Sequence, residues 1–244
     1  MKKTLTFILC LFLPSFLLRP LLRILGYRIG RAVRIGFSII YVNELKISDN
    51  STIGHFNLLF NKSISLDKSS KIGYLNILKG PFGLILKERA AIGNKNYLTR
   101  ANLGVSYGQS NLELGILTKI TTGHHLDLSR SILFGDYSIL AGIKSQIWTH
   151  GYFHAESGPE RIRIDGEIII GNNVYIGSGC IFNPGLKIAD SIHLGAGSVI
   201  SKNIEKPGMY VNQGLRFIPN SLEKVKTKLR RVEVENLVED VYHK

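Results

Sequence analysis

Large apolar residues recur at every sixth position in the C-terminal third of the chain. The series comprises Ile170, Ile176, Phe182, Ile188, Leu194 and Ile200. A small residue mostly follows each member, as in the pairs Ile170-Gly171 and Ile176-Gly177. An α-helix would show a period of about 3.6 residues and would be weakened by regular glycines. The six-residue period instead predicts a triangular solenoid, in which large residues stack inside and small residues permit each corner.

The same phase is present near the start of the chain, at Ile29, Ile35, Tyr41, Ile47 and Ile53. Farther on the period loosens, but Ile-Gly pairs still recur at intervals of 18, 19 and 20 residues, beginning at positions 35, 53, 72 and 92. Each interval corresponds to one three-sided coil. We therefore expect a solenoid domain over residues 29–208.

The N-terminal segment, residues 1–28, has a different pattern. Its apolar run from Leu5 to Leu18 contains Pro14 and is shorter than the roughly 20 residues that a membrane span needs. Arg19 and Arg23 then lie among leucines, which is typical of a basic amphipathic helix at a bilayer interface. We predict a helix that caps the solenoid and contacts the membrane peripherally. Capping alone, a true span and a cleaved signal are the alternatives.

Charge and cysteine content narrow the classes of partner. The chain carries 31 Lys and Arg against 18 Asp and Glu, a net charge of +13, which favours an anionic partner. No helix-turn-helix, zinc-finger or RNP-like pattern is present, so nucleic acid is not expected. The two cysteines fit neither a metal site nor a disulfide framework, which indicates a reducing, cytoplasmic setting.

We predict that residues 209–244 form a C-terminal tail with a short solvated helix.

One stretch interrupts the repeat, and it is rich in aromatic and imidazole side chains. It reads Trp148-Thr149-His150-Gly151-Tyr152-Phe153-His154 and contains the only Trp of the chain. Residues 151–167 have no hexapeptide phase, so we predict a loop over residues 148–167 that leaves the solenoid and shapes a binding site.

Residues 168–208 resemble the C-terminal coils of hexapeptide-repeat acyltransferases, a group that includes sugar and polysaccharide O-acetyltransferases. The resemblance rests on the segments IIIGNNVYIG, GAGSVISK and KPG. It implies an all-β fold, a left-handed parallel β-helix, which is an exception to the usual right-handed crossover. It also implies a homotrimer, acetyl-CoA as the acyl donor and no metal.

The resemblance also suggests roles for individual residues. His150 follows a strand and a Thr, twenty residues before Ile170-Gly171, and corresponds to the general base. A backbone N–H near Gly177 and Ser178 corresponds to the donor that meets the negative charge of the tetrahedral intermediate. Contacts to coenzyme A are implied for a further set of positions: Gly195, Ala196, Lys202 and Arg216.

The neighbours of His150 suggest an acceptor side. His154 is a second substrate contact, or the base itself if the loop is shifted. Trp148 and Tyr152 offer aromatic faces suited to a sugar ring, or to packing between subunits. Glu156 could orient an imidazole, on the basis of its proximity in sequence alone.

The sequence thus predicts an acyl-CoA-dependent O-acetyltransferase that acts on a hydroxyl of a sugar or lipid-linked saccharide in surface polysaccharide or lipopolysaccharide synthesis. N-acetylation of an amino sugar is the nearest alternative. A zinc hydratase of the gamma carbonic anhydrase type is a second, because His124, His125, His150 and His154 could supply ligands. A non-catalytic solenoid that binds a partner is a third.

Overall fold

The computed structural model describes residues 2–211, 216–219, 227, 230–231 and 242–243. Two helices come first, α1 (Lys2–Phe12) and α2 (Ser15–Ile24). The strands of the solenoid follow in chain order: β1 (Arg28–Ile29), β2 (Arg34–Ile35), β3 (Ile39–Ile40), β4 (Glu44–Ile47), β5 (Thr52–Ile53), β6 (Leu58–Leu66), β7 (Lys71–Ile72), β8 (Ile77–Leu86), β9 (Ala91–Ile92), β10 (Tyr97–Thr99), β11 (Asn111–Leu114), β12 (Lys119–Ile120), β13 (His125–Asp127), β14 (Ile132–Phe134), β15 (Ile139–Leu140), β16 (Gln146–Ile147), β17 (His150–His154), β18 (Arg161–Asp165), β19 (Ile168–Ile170), β20 (Tyr175–Ile176), β21 (Ile181–Phe182), β22 (Lys187–Ile188), β23 (Ile192–Leu194), β24 (Val199–Ile200), β25 (Gly208–Val211) and β26 (Arg216–Ile218).

Parallel pairing arranges these strands into three flat faces. The first face contains β1, β4, the second halves of β6 and β8, β11, β14, β19 and β22. The second contains β2, β5, β7, β9, β12, β15, β20, β23 and β25, with β26 added antiparallel at its end. The third contains β3, the first halves of β6 and β8, β10, β13, β16, β21 and β24. This is the three-sided solenoid that the hexapeptide period predicts and the left-handed parallel β-helix that the family resemblance implies, and both expectations are confirmed.

Stacked aliphatic columns hold the coils together. On the second face one column consists of residues that are at most 3% exposed: Ile35, Ile53, Ile72, Ile92, Ile120, Leu140, Ile176 and Leu194. Each such side chain contributes about 1.5–3 kcal/mol when it leaves water. Gly73 shows why small residues follow the large ones, because a Cβ there would lie 2.3 Å from the carbonyl oxygen of Gly93 in the next coil.

A buried polar ladder lines the corner between the second and third faces. Asn76 donates to the Oδ1 of Asn57 over 3.0 Å, and Asn96 donates to the Oδ1 of Asn76 over 3.1 Å. The backbone N–H of His124 donates to the Oδ1 of Asn96 over 2.9 Å and so continues the ladder. Such buried amides stabilise the corner only because each polar group has a partner.

The two helices cap the first coil. Their inward side buries Thr6, Cys10, Leu18 and Leu22. Cys10 also accepts a backbone hydrogen bond from Ser38 over 3.1 Å. The sequence predicts one amphipathic helix here, whereas the structure has two that are separated around Pro14, whose ring disfavours helix continuation. In the described part of the chain, neither helix has the length and apolar character needed to cross a bilayer.

The predicted C-terminal helix lies largely outside the described residues. Two short pieces within that segment are described, β27 (Arg230–Arg231) and β28 (Tyr242–His243), and they pair antiparallel.

Candidate active site

Two insertions leave the solenoid at the corner between the third and first faces. The first is the 100–110 loop, between β10 and β11, and the second lies between β16 and β19. The second was expected as a loop, but much of it forms an antiparallel hairpin of β17 and β18, in which His150 lies opposite Asp165. The break in the repeat therefore produces a projecting wall on an otherwise flat corner.

His150 starts this hairpin and is anchored to the preceding coil. Its Nδ1 lies 2.8 Å from Oδ2 of Asp127, the last residue of β13. The hydroxyl of Ser129 lies 3.2 Å from the same Nδ1. The side chain of His150 is 27% exposed, so one part of the ring is fixed and another part reaches solvent.

Asp127 is itself held by several donors. Thr149 donates to Oδ2 from its hydroxyl over 2.7 Å and from its backbone N–H over 3.1 Å. The hydroxyl of Ser129 donates to Oδ1 over 2.9 Å. Hydrogen bonds to both oxygens thus hold the carboxylate in place, and the carboxylate in turn orients the imidazole.

The balance of forces keeps Asp127 charged. Burial disfavours the carboxylate, but hydrogen bonds from Thr149, His150 and Ser129 outweigh this effect. The pKa of Asp127 is therefore lowered from its ordinary value. An ionised carboxylate at Nδ1 assigns the proton of neutral His150 to Nδ1. The lone pair then resides on Nε2, which has no hydrogen-bond partner among the described residues.

A row of rings runs along the third face and onto the hairpin. Consecutive centroids are 4.9 Å apart for His125 and Trp148, 6.3 Å for Trp148 and His150, and 6.1 Å for His150 and Tyr152. His154 continues the row, 6.4 Å beyond Tyr152. The structure therefore brings together the four residues of the interrupted stretch that the sequence singles out as a site.

The 100–110 loop supports the base of this wall. The buried Arg100 donates to backbone carbonyls of Tyr107 and Gly108 within the loop, over 2.9 and 2.8 Å. From the hairpin, Arg163 donates to the carbonyl of Val105. The loop and the hairpin, two coils apart on one corner, are thus tied to each other.

The implied donor-side residues lie elsewhere in the solenoid. Gly177 and Ser178 follow β20, and Gly195 and Ala196 follow β23, so all four lie at the corner between the second and third faces. Ser178 uses its hydroxyl to accept the N–H of Ile143 over 3.3 Å. Within one chain these residues are at a different corner from His150.

Lys202 and Arg216 have separate positions. Lys202 is exposed just after β24, at the same corner as His150 but two coils farther along the solenoid. Arg216 begins β26, where its backbone pairs with Val211, and its side chain lies outside the described part of the structure.

Sequence reasoning missed Asp127, Ser129 and the role of Thr149. It considered Glu156 as the partner of an imidazole, whereas Asp127 occupies that position and Glu156 is exposed. The usable signal was Asp127-Leu128-Ser129, since Asp127 ends a strand one coil before the break.

His124, one of the residues considered for zinc, belongs to the polar ladder. Its Nδ1 accepts the N–H of Ser145 over 3.2 Å, and its Nε2 lies 3.0 Å from the hydroxyl of Thr121. Burial lowers its pKa to about 4. Across the described residues, no group of three or more His, Cys, Asp or Glu is arranged to hold a metal ion.

Comparison with known proteins gives partial matches to two curated relatives and a similar fold among solved structures. No protein-family profile matches the chain. It is 30% identical to galactoside O-acetyltransferase of Escherichia coli K12 over 126 residues, which are 49% of this chain and 59% of the relative. It is 24% identical over 199 residues to the bifunctional protein GlmU of Campylobacter jejuni subsp. doylei, covering 80% of this chain and 41% of that protein. The chain therefore spans only about half the length of the curated relatives it matches.

Among solved structures, the polysialic acid O-acetyltransferase OatWY superposes with a TM-score of 0.49 at 16% sequence identity. That superposition covers 82% of this chain and 96% of OatWY. The coil topology identifies the chain as a left-handed parallel β-helix, and over about half of its length its sequence is similar to that of an acetyltransferase.

Proposed function

We propose that this chain is an acetyl-CoA-dependent O-acetyltransferase that acts on a sugar hydroxyl. The observation that carries the proposal is the pairing of His150 Nδ1 with Asp127 over 2.8 Å, which leaves Nε2 beside an aromatic wall with no partner in the described part of the chain. The sequence similarity to a galactoside O-acetyltransferase supports the same reaction class.

In the proposed reaction, Nε2 of His150 removes the proton from the acceptor hydroxyl as its oxygen attacks the thioester carbonyl of acetyl-CoA. The resulting tetrahedral intermediate collapses, the carbon–sulfur bond breaks, and the acetyl group remains on the sugar oxygen. The proton passes from His150 to the departing coenzyme A thiolate. Asp127 keeps the imidazole in the required tautomer and stabilises its protonated form during the transfer.

The acceptor would lie against the hairpin, with Trp148 and Tyr152 stacking on the sugar and His154 as a further contact. Arg161 stands over the Tyr152 ring at 5.2 Å, so the wall also carries positive charge. We therefore expect an assay that compares a neutral sugar with an acidic sugar to show whether this positive charge contributes to acceptor binding.

The donor would be bound along the coils near Gly177, Ser178, Gly195 and Ala196, with Lys202 and Arg216 toward its phosphates. These groups are divided between two corners in one chain. A second copy of the chain, packed so that its corner faces His150, would complete the site, which is our reason to propose a homotrimer.

An exposed aromatic ridge favours such packing. It follows the first coils near the corner between the second and third faces and includes Phe37, Phe56 and Tyr74, which are 39–66% exposed. Exposed apolar area of this kind marks a contact surface. We expect light scattering to give a trimer for the wild type and a smaller species for Phe56→Asp. A wild-type monomer with full activity would refute this arrangement.

Direct assay tests the reaction. Purified protein is incubated with acetyl-CoA and either a simple galactoside or a sialyl oligosaccharide, and release of free thiol is followed. Treatment of the product with hydroxylamine then distinguishes an ester, which is cleaved, from the amide that amino-sugar N-acetylation would form. Thiol release without acetylated sugar would count against the proposal.

We place this activity on the cytoplasmic side of the membrane, with the chain attached peripherally. Acetyl-CoA is a cytoplasmic metabolite, and both cysteines, Cys10 and Cys180, are buried free thiols. An acceptor used in surface polysaccharide or lipopolysaccharide assembly would be consistent with that location.

A further inference from the structure

The capping helices expose large apolar side chains on the side opposite their buried residues. Leu5, Ile8 and Phe12 follow helical spacing on α1, and Phe16, Leu17 and Ile24 are exposed on α2. We call these six residues the cap surface. Phe12 is 70% exposed and Ile24 is 81% exposed, although the opposite side of the same helices is fully buried.

The surroundings of the cap surface are strongly basic. Residues 1–43 contain seven Lys or Arg and no Asp or Glu. Beside the end of α2 a pocket of about 610 Å³ is lined by four cations, Arg23, Arg28, Lys46 and Lys68, with Asp49 as the lone carboxylate in its lining. An anionic headgroup is therefore complementary to this end of the molecule in charge, and the acyl region is complementary to the cap surface.

We propose that the cap surface binds an anionic lipid bilayer, with α1 and α2 lying in the interface and the basic residues contacting headgroup phosphates. The helices have 11 and 10 residues. At 1.5 Å per residue each is roughly 16 Å long, about half of the ~30 Å hydrocarbon thickness. They are thus suited to lie on the bilayer rather than to cross it. This docking does not depend on the proposed acetyl transfer.

Docking through the cap fixes the distance between the membrane and the candidate active site. On the third face, the strand that leads to His150 is the sixth from the cap, after β3, β6, β8, β10 and β13. Adjacent strands are about 4.8 Å apart, so His150 lies roughly 24 Å above the first coil. This step rests on the proposed function. The geometry then indicates an acceptor whose reacting sugar lies well away from the lipid surface.

The test is flotation of the full chain with vesicles. One preparation is phosphatidylcholine alone, and the other contains three parts phosphatidylcholine to one part phosphatidylglycerol. The apolar variant combines Phe12→Ser, Phe16→Ser and Ile24→Ser. Its matched control, Ile116→Ser with Tyr137→Ser, removes exposed apolar side chains from a corner of the solenoid far from the cap.

We expect the wild type and the control to float with anionic vesicles, and the apolar variant to bind at least about tenfold more weakly. Added salt and the variant Arg28→Gln with Lys46→Gln should each weaken binding severalfold, because the headgroup contacts are electrostatic. Unchanged circular dichroism and melting of the variants would establish that they remain folded.

Three results would overturn the docking proposal. The first is no flotation of the wild type, and the second is an equal loss of flotation in the control variant. The third is a wild type that self-associates but does not bind vesicles, together with an apolar variant that no longer self-associates. The last would assign the cap surface to protein contacts. Acetyl transfer to a soluble sugar should be the same in the apolar variant and the wild type, so failure of docking and failure of the enzymatic proposal are distinguishable.

Discussion

His124 and His150 belong to neighbouring coils but have opposite surroundings. His124 is buried in the polar ladder with both ring nitrogens hydrogen-bonded, whereas His150 is held at Nδ1 and has no partner at Nε2 among the residues that the structure describes. One imidazole completes the solenoid and the other projects from it. The comparison teaches that hydrogen-bond partners, rather than residue type, separate a structural histidine from a candidate base.

The largest expected effect is on the His150 side of the comparison. His150→Ala removes the proposed base, and we expect kcat to fall by roughly 10²–10⁴-fold with little change in melting temperature, because the ring is partly exposed. Thiol release from acetyl-CoA in the presence of acceptor measures it. His154→Ala is the control, for which we expect a severalfold rise in acceptor KM. If the two variants exchanged these effects, His154 would be the base.

Asp127→Asn tests whether the base depends on its anchor. The amide lacks the charge that holds Nδ1–H, so we expect kcat to fall by about 10²-fold or more, with acetyl-CoA KM largely unchanged. The residue is buried, so the rate must be measured on protein whose circular dichroism matches the wild type. Full activity of this variant would show that the Asp127 contact is only structural.

The same residue predicts a stability effect in acid. The pKa of folded Asp127 is lowered, so its contribution is present above the ordinary value of about 3.9 and is lost as pH falls through the folded value. Urea midpoints should therefore decline in strong acid more steeply for the wild type than for Asp127→Asn. Parallel declines would contradict the assignment.

On the His124 side the expected effect is on stability and not on activity. Burial lowers the pKa of His124 to about 4, below the ordinary value of 6.5. Its contribution is thus complete above pH 6.5 and declines as pH falls toward 4, by up to about 3 kcal/mol. His124→Asn, which copies the neighbouring Asn96, should flatten this decline and retain activity. Urea unfolding between pH 7 and 4 checks it, and an inactive but folded variant would break the comparison.

The smallest effect concerns the aromatic row. Trp148→Ala should raise acceptor KM severalfold and leave kcat nearly unchanged, since stacking on a sugar contributes on the order of 1 kcal/mol. Trp148→Phe should recover most of the binding. A large loss of kcat with unchanged KM would instead indicate that Trp148 positions His150.

The solenoid could be predicted from sequence because its determinants are local and repeated. Most coils carry their own large inward residue and their own small corner residue, as at Ile176 and Gly177, so the period of the sequence indicates the fold directly. His150 could be proposed because it interrupts that period.

The partner of His150 could not be found in the same way. Asp127 is 23 residues earlier, and the coils between 92 and 168 are irregular enough that the register is set only by strand pairing. Proximity in sequence instead suggested Glu156. The separation of Ser178 from His150 onto different corners likewise follows from the coil geometry, which the motif does not encode.

The most direct test compares acetyl-transfer rates of the wild type, His150→Ala and His124→Asn under one set of conditions at neutral pH. The account predicts that His124→Asn keeps a rate close to that of the wild type, while His150→Ala loses at least about 10²-fold. Equal activity of His150→Ala and the wild type would contradict it.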